Sequence, residues 1–468
     1  MRGLTPRTVA GSRRRTEALL LVLVVGITVF GHANAGLAMH GEPPPDLAGF
    51  AISMTLLALV AHLGVRRFAA YADPLVLPLA MLLTGIGLVL LHRLDQGYID
   101  RYGSAPVAPG QLMWSVIGVA ACVAVVALLR DHRYLQRFIY ITMAVALVLL
   151  IAPAFFGADK YGAKRWIVIG GLSLQPGEFV KIMIAVFFAG YLVVHRDTLA
   201  LAGRRFLGVQ LPPMRQLGPI ITVWIVSLLV LVFERDLGTS LIFFGVFVVM
   251  LYVATERTSW IVTGLLMAAA GAFVVGSTEA HVKNRVQAWL DPMAIFLPED
   301  QRPKGLISDQ SAQALFSFGT GGISGTGLGQ GHPELIAFAG RSDFILTTVG
   351  EELGLAGLMA VLLLYGLLVQ RGLRMALGSR DPFGKLLAVG LASGLALQVF
   401  IVTGGVTGLI PLTGKAIPFL ASGGSSLLAN WIMIALLLRI SDSAERQREA
   451  DSRAAAESRD PGGLVAVG

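Results

Sequence analysis

Gln111-Leu112-Met113-Trp114-Ser115-Val116-Ile117-Gly118-Val119-Ala120-Ala121-Cys122-Val123-Ala124-Val125-Val126-Ala127-Leu128-Leu129 runs nineteen residues without a charge. As a helix rising 1.5 Å per residue it spans about 28 Å, close to the hydrocarbon thickness of a bilayer. Lipid offers no partner for an open backbone N–H or C=O, so a run of this kind must be helical. Working outward in both directions, the same pattern recurs at 17–33, 48–65, 74–91, 134–154, 178–194, 217–233, 238–254, 258–276, 344–369, 385–406 and 424–438. Composition agrees: 55% of the 468 residues are hydrophobic and 14% charged, against about 25% charged in soluble domains. The expectation is an all-α polytopic membrane protein of about twelve transmembrane helices.

Alternating the loops between two sides sorts the charge. One side collects 24 of the 37 Lys and Arg residues, among them Arg13-Arg14-Arg15, Arg66-Arg67 and the five arginines from Arg439 onward, and the opposite loops hold twelve. By the positive-inside rule both termini are cytoplasmic and the long segment 277–342 is extracytoplasmic. The net charge of +8 therefore records orientation, and nucleic acid is not an expected partner. Arg13-Arg14-Arg15, an apolar run and Ala33-Asn34-Ala35 also fit a cleavable secretory signal, although a first membrane helix has the same layout. The single cysteine, Cys122, lies inside an apolar run, which leaves neither a disulfide nor a thiolate metal site. Four parts follow: a cytoplasmic tail 1–16, two N-terminal helices in 17–73, a core 74–440 carrying the loop 277–342, and a disordered cytoplasmic tail 441–468.

Candidate chemistry sits in the extracytoplasmic loops, where polar groups stand among Gly and Pro. Lys164, Arg165 and Trp166 precede Gln175-Pro176-Gly177-Glu178, with Lys181 one turn further. Glu178 and Lys181 share a helix face and form either a local ion pair at a helix entrance or part of a site in which the cations take a pyrophosphate and Trp166 a sugar. Asp236, in Glu234-Arg235-Asp236-Leu237-Gly238-Thr239, serves as a helix cap or a site residue. The long loop offers Arg285, Trp289, Gln310-Ser311 and a glycine-rich run 319–329 that lacks the lysine of a nucleotide-binding loop. Asp343 opens the helix predicted over 344–369, either as its cap or as a catalytic acid or base. Glu351 and Glu352 then fall about 12 Å deeper in that helix, at a depth where acids face a cavity or a partner.

Taken in order, these segments resemble the SEDS family, the RodA, FtsW and SpoVE proteins of bacterial elongation, division and sporulation. The most specific part is Gly408-Leu409-Ile410-Pro411-Leu412-Thr413-Gly414-Lys415-Ala416-Ile417-Pro418-Phe419-Leu420-Ala421-Ser422-Gly423-Gly424-Ser425-Ser426. Gly162-Ala163-Lys164-Arg165-Trp166, Asp236-Leu237-Gly238-Thr239, Gly325 to Gly329 and Asp343-Phe344 with Gly350-Glu351-Glu352 support it. Glu234-Arg235 and Arg341-Ser342 depart from the family's usual Gln-Pro and His-Thr ahead of the two aspartates.

The resemblance implies a ten-helix SEDS fold with two N-terminal helices added, and a peptidoglycan glycosyltransferase that polymerises lipid II into β-1,4 glycan strands. Asp343 matches the family's catalytic Asp and is suited to act as base. Lys164, Arg165, Lys181 and Arg285 are candidates for the undecaprenyl pyrophosphate, with Trp166, Glu178, Asp236, Gln310, Ser311 and Ser425 completing the substrate site. No nucleotide cofactor is needed, since the leaving group carries the energy, and a divalent cation such as Mg or Mn can assist. The partners implied are lipid II, undecaprenyl-linked glycan, a class B penicillin-binding protein with transpeptidase activity, and the elongation or division machinery of the cytoplasmic membrane. The RodA branch is favoured over FtsW by Arg341-Ser342 and the extended N-terminus. A lipid II flippase is the rival, and it requires charged residues along the full membrane depth.

Overall fold

The computed structural model describes residues 6–160, 163–169, 172–199, 205–206, 209–210, 221–226, 236–303 and 309–459. Its helices in chain order are α1 (Pro6–His40), α2 (Leu47–Phe68), α3 (Val76–Tyr102), α4 (Ala108–Leu128), α5 (Ile139–Phe156), α6 (Pro176–Leu199), α7 (Leu237–Thr255), α8 (Ser259–Thr278), α9 (Ala280–Leu290), α10 (Gln310–Gly321), α11 (Ile345–Glu352), α12 (Gly354–Gly378), α13 (Pro382–Val406) and α14 (Gly424–Arg459). Among the described residues eleven of these are long and apolar enough to cross a membrane, all but α9, α10 and α11. The expected span 217–233 lies mostly outside the described residues, with 221–226 helical.

The helices α3, α6, α7, α13 and α14 are mostly buried, while α1, α4, α5, α8 and α12 turn most of their surface outward. In lipid, apolar side chains gain little from one another beyond packing, so close approach rests on small residues. A Cβ at Gly118 of α4 would come within 2.6 Å of Trp431 on α14, and one at Gly390 of α13 within 2.6 Å of the Met250 sulfur on α7. Gly64 of α2 admits Val123 of α4 in the same way, at 2.7 Å.

Four expectations need correction. The helix predicted over 344–369 is two helices, α11 and α12, broken at Gly354, whose φ of +67° a side chain rarely adopts. The backbone groups freed by that break are satisfied by the glycine-rich run: Thr326 and Gly327 donate to the carbonyls of Glu351 and Glu352, and the Leu355 and Ala356 amides donate to Gly322 and Ile323. Because of the break, Glu351 and Glu352 stand at the mouth of the span that begins at Gly354, not 12 Å inside one. Glu352 accepts from Arg93 Nε at 2.5 Å and from the Gly329 amide at 3.0 Å, and Glu351 accepts from the His332 amide at 2.6 Å.

Second, the loop ahead of α6 is a three-stranded antiparallel sheet, β1 (Ala158–Lys160), β2 (Ala163–Ile169) and β3 (Leu172–Leu174), with Ile167 opposite Leu174 and Trp166 opposite Ala158. Third, the region 441–468 is not a disordered tail up to Arg459, because α14 runs through it unbroken. Asp442 accepts from the Tyr71 amide and ion-pairs with Arg439, and Glu445 ion-pairs with Arg13. Fourth, residues 6–16 of the expected N-terminal tail are the start of α1. The segment 277–342 carries α9, α10 and 3-10 turns at Pro292–Phe296 and Pro333–Arg341.

Candidate active site

One end of the bundle gathers β2, α9, the 3-10 turn before Asp343 and the connection 407–423. Polar anchors thread that connection between the helices. Gln111 of α4 donates to the Ala421 carbonyl and accepts from the Gly423 amide, each at 3.1 Å, while Gln398 of α13 donates to the Ala416 carbonyl at 2.9 Å. Tyr365 donates to the Pro418 carbonyl. Gly87 of α3 lets the backbone of Phe419 and Leu420 lie directly on it.

Glu178, in the first turn of α6, is buried between two lysines. Its Oε1 lies 2.7 Å from Lys415 Nζ and its Oε2 3.0 Å from Lys181 Nζ, with the Ser426 hydroxyl donating to Oε2 at 3.2 Å. Lys181 is completed by Gln398 Oε1 at 2.9 Å and Asn430 Oδ1 at 3.1 Å. All three of its donors are thus used, which removes it from the cations free to take a phosphate. Lys415 also donates to Thr239 Oγ1 at 3.2 Å and lies 3.8 Å from Asp236. Charges taken out of water persist only when paired and hydrogen-bonded in this way.

Asp236 is the cap of α7, accepting from the Thr239 amide at 2.9 Å and its hydroxyl at 2.8 Å. Burial pushes its carboxyl upward, but Lys415, Arg165 and the Thr239 hydrogen bonds outweigh that and leave it below the usual range. Burial likewise works against the charge of Lys415, yet Glu178 and Asp236 prevail and raise its pKa.

Asp343 is different in kind. Helix α11 starts at Ile345 with Phe344 at its cap position and no side-chain capping bond, so Asp343 is not a helix cap. Burial lifts its carboxyl above the ordinary value, opposed by Arg285, Arg165, the Ser342 hydroxyl and Lys415. The space in front of it is kept by Gly414, with φ of +71°, where a Cβ would stand 2.9 Å from the Arg285 guanidinium and 3.5 Å from Asp343 Oδ2. Arg285, on α9, donates to the Leu412 carbonyl at 3.2 Å. Burial and the nearby Arg165 lower its pKa, and Asp236 and Asp343 oppose them. A carboxylate without a capping duty, faced by cations from separate segments, can accept a proton beside a bound anion.

The segment ahead of Asp343 is held rigidly. Arg341 is buried with its guanidinium 4.1 Å from the Tyr98 ring centre, 3.5 Å from Asp95, and donating to the Ala105 carbonyl at 2.9 Å. Its own carbonyl accepts from the Ser422 amide at 2.9 Å. The Arg341 side chain therefore fixes the Asp343 segment to α3, and its backbone fixes it to the 407–423 connection.

A family model described as a cell cycle protein, for FtsW, RodA and SpoVE, matches residues 73–446. The chain belongs to the FtsW/RodA/SpoVE family. Within this family it is 47% identical over 440 residues to the peptidoglycan glycosyltransferase RodA of Mycobacterium tuberculosis (strain ATCC 25618 / H37Rv), covering 93% of this chain and 92% of that one. It is 32% identical over 382 residues to a probable peptidoglycan glycosyltransferase FtsW of Trichlorobacter lovleyi, covering 80% and 94%. A solved chain from a peptidoglycan synthase complex that coordinates polymerization and crosslinking shares the fold, with a TM-score of 0.59, 22% identity, and coverage of 77% of this chain and 97% of that one. The match to the FtsW/RodA/SpoVE model starts at residue 73, so α1 and α2 are additions to what it describes.

For this FtsW/RodA/SpoVE chain the expected site residues divide into groups. Asp343, Arg285, Arg165 and Asp236 act on one another electrostatically, and Glu178 and Lys181 form the adjoining buried cluster. Ser425 accepts from the Gln175 amide at 3.1 Å, tying α14 to the entrance of α6. Trp166 is half-buried on β2, and Lys164 lies in the same strand with its side chain outside the described residues. Gln310 and Ser311 open α10, whose Ala312 packs with Ala294 and Ile295. Sequence reasoning missed Lys415, Gln398 and Asn430. Each had a signal: a lysine inside the most specific motif, and two amides inside otherwise apolar spans.

Proposed function

We propose that the chain is a RodA-type peptidoglycan glycosyltransferase that polymerises lipid II at the outer face of the cytoplasmic membrane, with both termini cytoplasmic. The observation that carries the reading is Asp343, a carboxyl with no capping role, set beside Arg285 and Arg165. As base it takes the proton of the acceptor's GlcNAc 4-hydroxyl. That oxygen forms the bond to the donor sugar's anomeric carbon as the bond to undecaprenyl pyrophosphate breaks, inverting an α-linkage into β-1,4. Arg285 and Arg165, with Lys164 on the same strand, receive the charge that develops on the pyrophosphate. Lys181 and Lys415 have no such part, being committed to Glu178.

The groups around Asp343 are mainly cationic, so these residues do not build a cage for a divalent cation of their own. A magnesium or manganese ion would come with the pyrophosphate of lipid II rather than be held by these residues. The partner we assign is a class B penicillin-binding protein that crosslinks the strands. The 47% identity to a RodA, against 32% to an FtsW, supports elongation as the process served.

The test is polymerisation of purified lipid II by the chain with its partner, wild type against Asp343→Ala. Long strands from the wild type, and none from a folded, partner-bound variant, are expected. Equal strand formation by both would sink Asp343 as base, and none from either would move lipid II transport or scaffolding ahead.

A further inference from the structure

Where the two added helices meet the core, three potential ligands converge that the glycosyltransferase reading leaves unused. His32 of α1 places Nε2 3.1 Å from Asp46 Oδ1, and His92 of α3 places Nδ1 3.8 Å from Asp46 Oδ2. One ligand atom from each falls within 4.8 Å of the others. Ligands bound to a tetrahedral ion at about 2.0–2.2 Å stand about 3.3–3.6 Å apart, so small side-chain adjustments complete the geometry. We propose that His32, Asp46 and His92 form a binding site for zinc or a similar first-row transition metal, which clips α1 and α2 onto α3.

The environment of His32 supports this. Its side chain is buried, its ring stacks on Phe50 with centres 4.3 Å apart, and Nε2, facing Asp46, makes its one polar contact. A buried imidazole with a single polar contact is poorly compensated for lost water. A bond from Nε2 to a metal supplies far more than the contact to Asp46 alone. Two imidazoles and one carboxylate suit zinc, cobalt, nickel or iron rather than magnesium or calcium, which prefer oxygen ligands. The Asp46 side chain is 54% exposed, so water reaches a fourth coordination position. Two of the ligands, His32 and Asp46, precede residue 73, where the family match begins, and the third lies within it. The ion thus bridges the addition and the core.

The full chain, purified in detergent and stripped with chelator, is titrated with zinc alone while metal content and thermal unfolding are followed. One zinc per chain is expected, with a raised unfolding temperature, and affinity falling at least tenfold in His92→Gln and in Asp46→Asn. Cobalt in place of zinc is expected to give the strong visible bands of a four-coordinate ion, absent in His92→Gln. No retained zinc, or stoichiometry and thermal shift unaltered by both variants, overturns the proposal. His92 and Asp46 carry the test because both are more exposed than His32, whose replacement risks the fold itself.

Discussion

Lys415 and Glu178, 237 residues apart in the chain, meet at 2.7 Å where α6, α7 and the 407–423 connection converge. This pair joins the Asp343 side of the molecule to the interior of the bundle, because the same glutamate is shared with Lys181. Removing one member leaves the others buried and uncompensated. Glu178→Gln and Lys415→Met are each expected to destabilise the protein by about 3–5 kcal/mol, read as a lowered unfolding temperature in detergent. The double variant should recover part of that loss. Additive losses in the double variant would show that the two charges do not depend on each other.

Asp343→Asn is expected not to lower thermal stability, since the side chain caps no helix and burial disfavours its charged form more than Arg285 and Arg165 favour it. Glycan synthesis should fall by about 10²-fold or more. A stability loss of the size seen for a lost helix cap, with activity retained, would assign Asp343 a structural role.

Asp236→Ala supplies the contrast. It removes the cap of α7 and one acidic neighbour of Lys415, so it should cost about 1–2 kcal/mol for the cap alone. Activity should recover in proportion to the folded fraction at lower temperature. A folded but inactive Asp236→Ala would bring this residue into the chemistry.

The pH dependence has a definite sign. Burial raises the Asp343 pKa, with Arg285 holding it down, and a base works in its deprotonated form. Polymerisation should therefore fall with decreasing pH through a value above that of an ordinary aspartate. Arg285→Gln removes a group that favours the carboxylate and should move that acid limb to higher pH. The measurement is kcat/KM for lipid II against pH, and an unshifted limb in Arg285→Gln would uncouple the two residues.

Gly354→Ala places a side chain at a φ of +67° and against the backbone of Ile323 and Gly325. A loss of about 1–3 kcal/mol is expected, accompanied by faster hydrogen exchange in 321–329. Unchanged exchange there would mean that the glycine run holds its shape without the α11–α12 break.

Eleven of the twelve expected spans coincide with helices long and apolar enough to cross a membrane, because a long apolar run leaves the backbone no other choice in lipid. The twelfth, 217–233, lies mostly outside the described residues. Asp236, ahead of an apolar run, reads equally as a cap or as a site residue, and its bonds to the Thr239 amide and hydroxyl show the cap. What escaped were features set by tertiary partners. Gly354 sits in an apolar run that reads as continuous, and the break appears only once Gly322, Ile323, Thr326 and Gly327 are seen to take up the freed backbone groups. Lys415 stands within the most specific motif, yet nothing local tells that Glu178 lies opposite. Residues 441–459 are polar enough to pass for a tail, and their helix depends on Arg13, Tyr71 and Arg439.

The length of α14 has a mechanical meaning. Its 36 residues extend about 54 Å, well beyond the roughly 30 Å of bilayer hydrocarbon, so the last turns form a handle standing clear of the membrane. The same rod carries Ser426 and Asn430, which touch Glu178 and Lys181. A push or twist applied at the handle, where Asp451 is tethered to Arg380, reaches those residues along one unbroken helix with no hinge to absorb it.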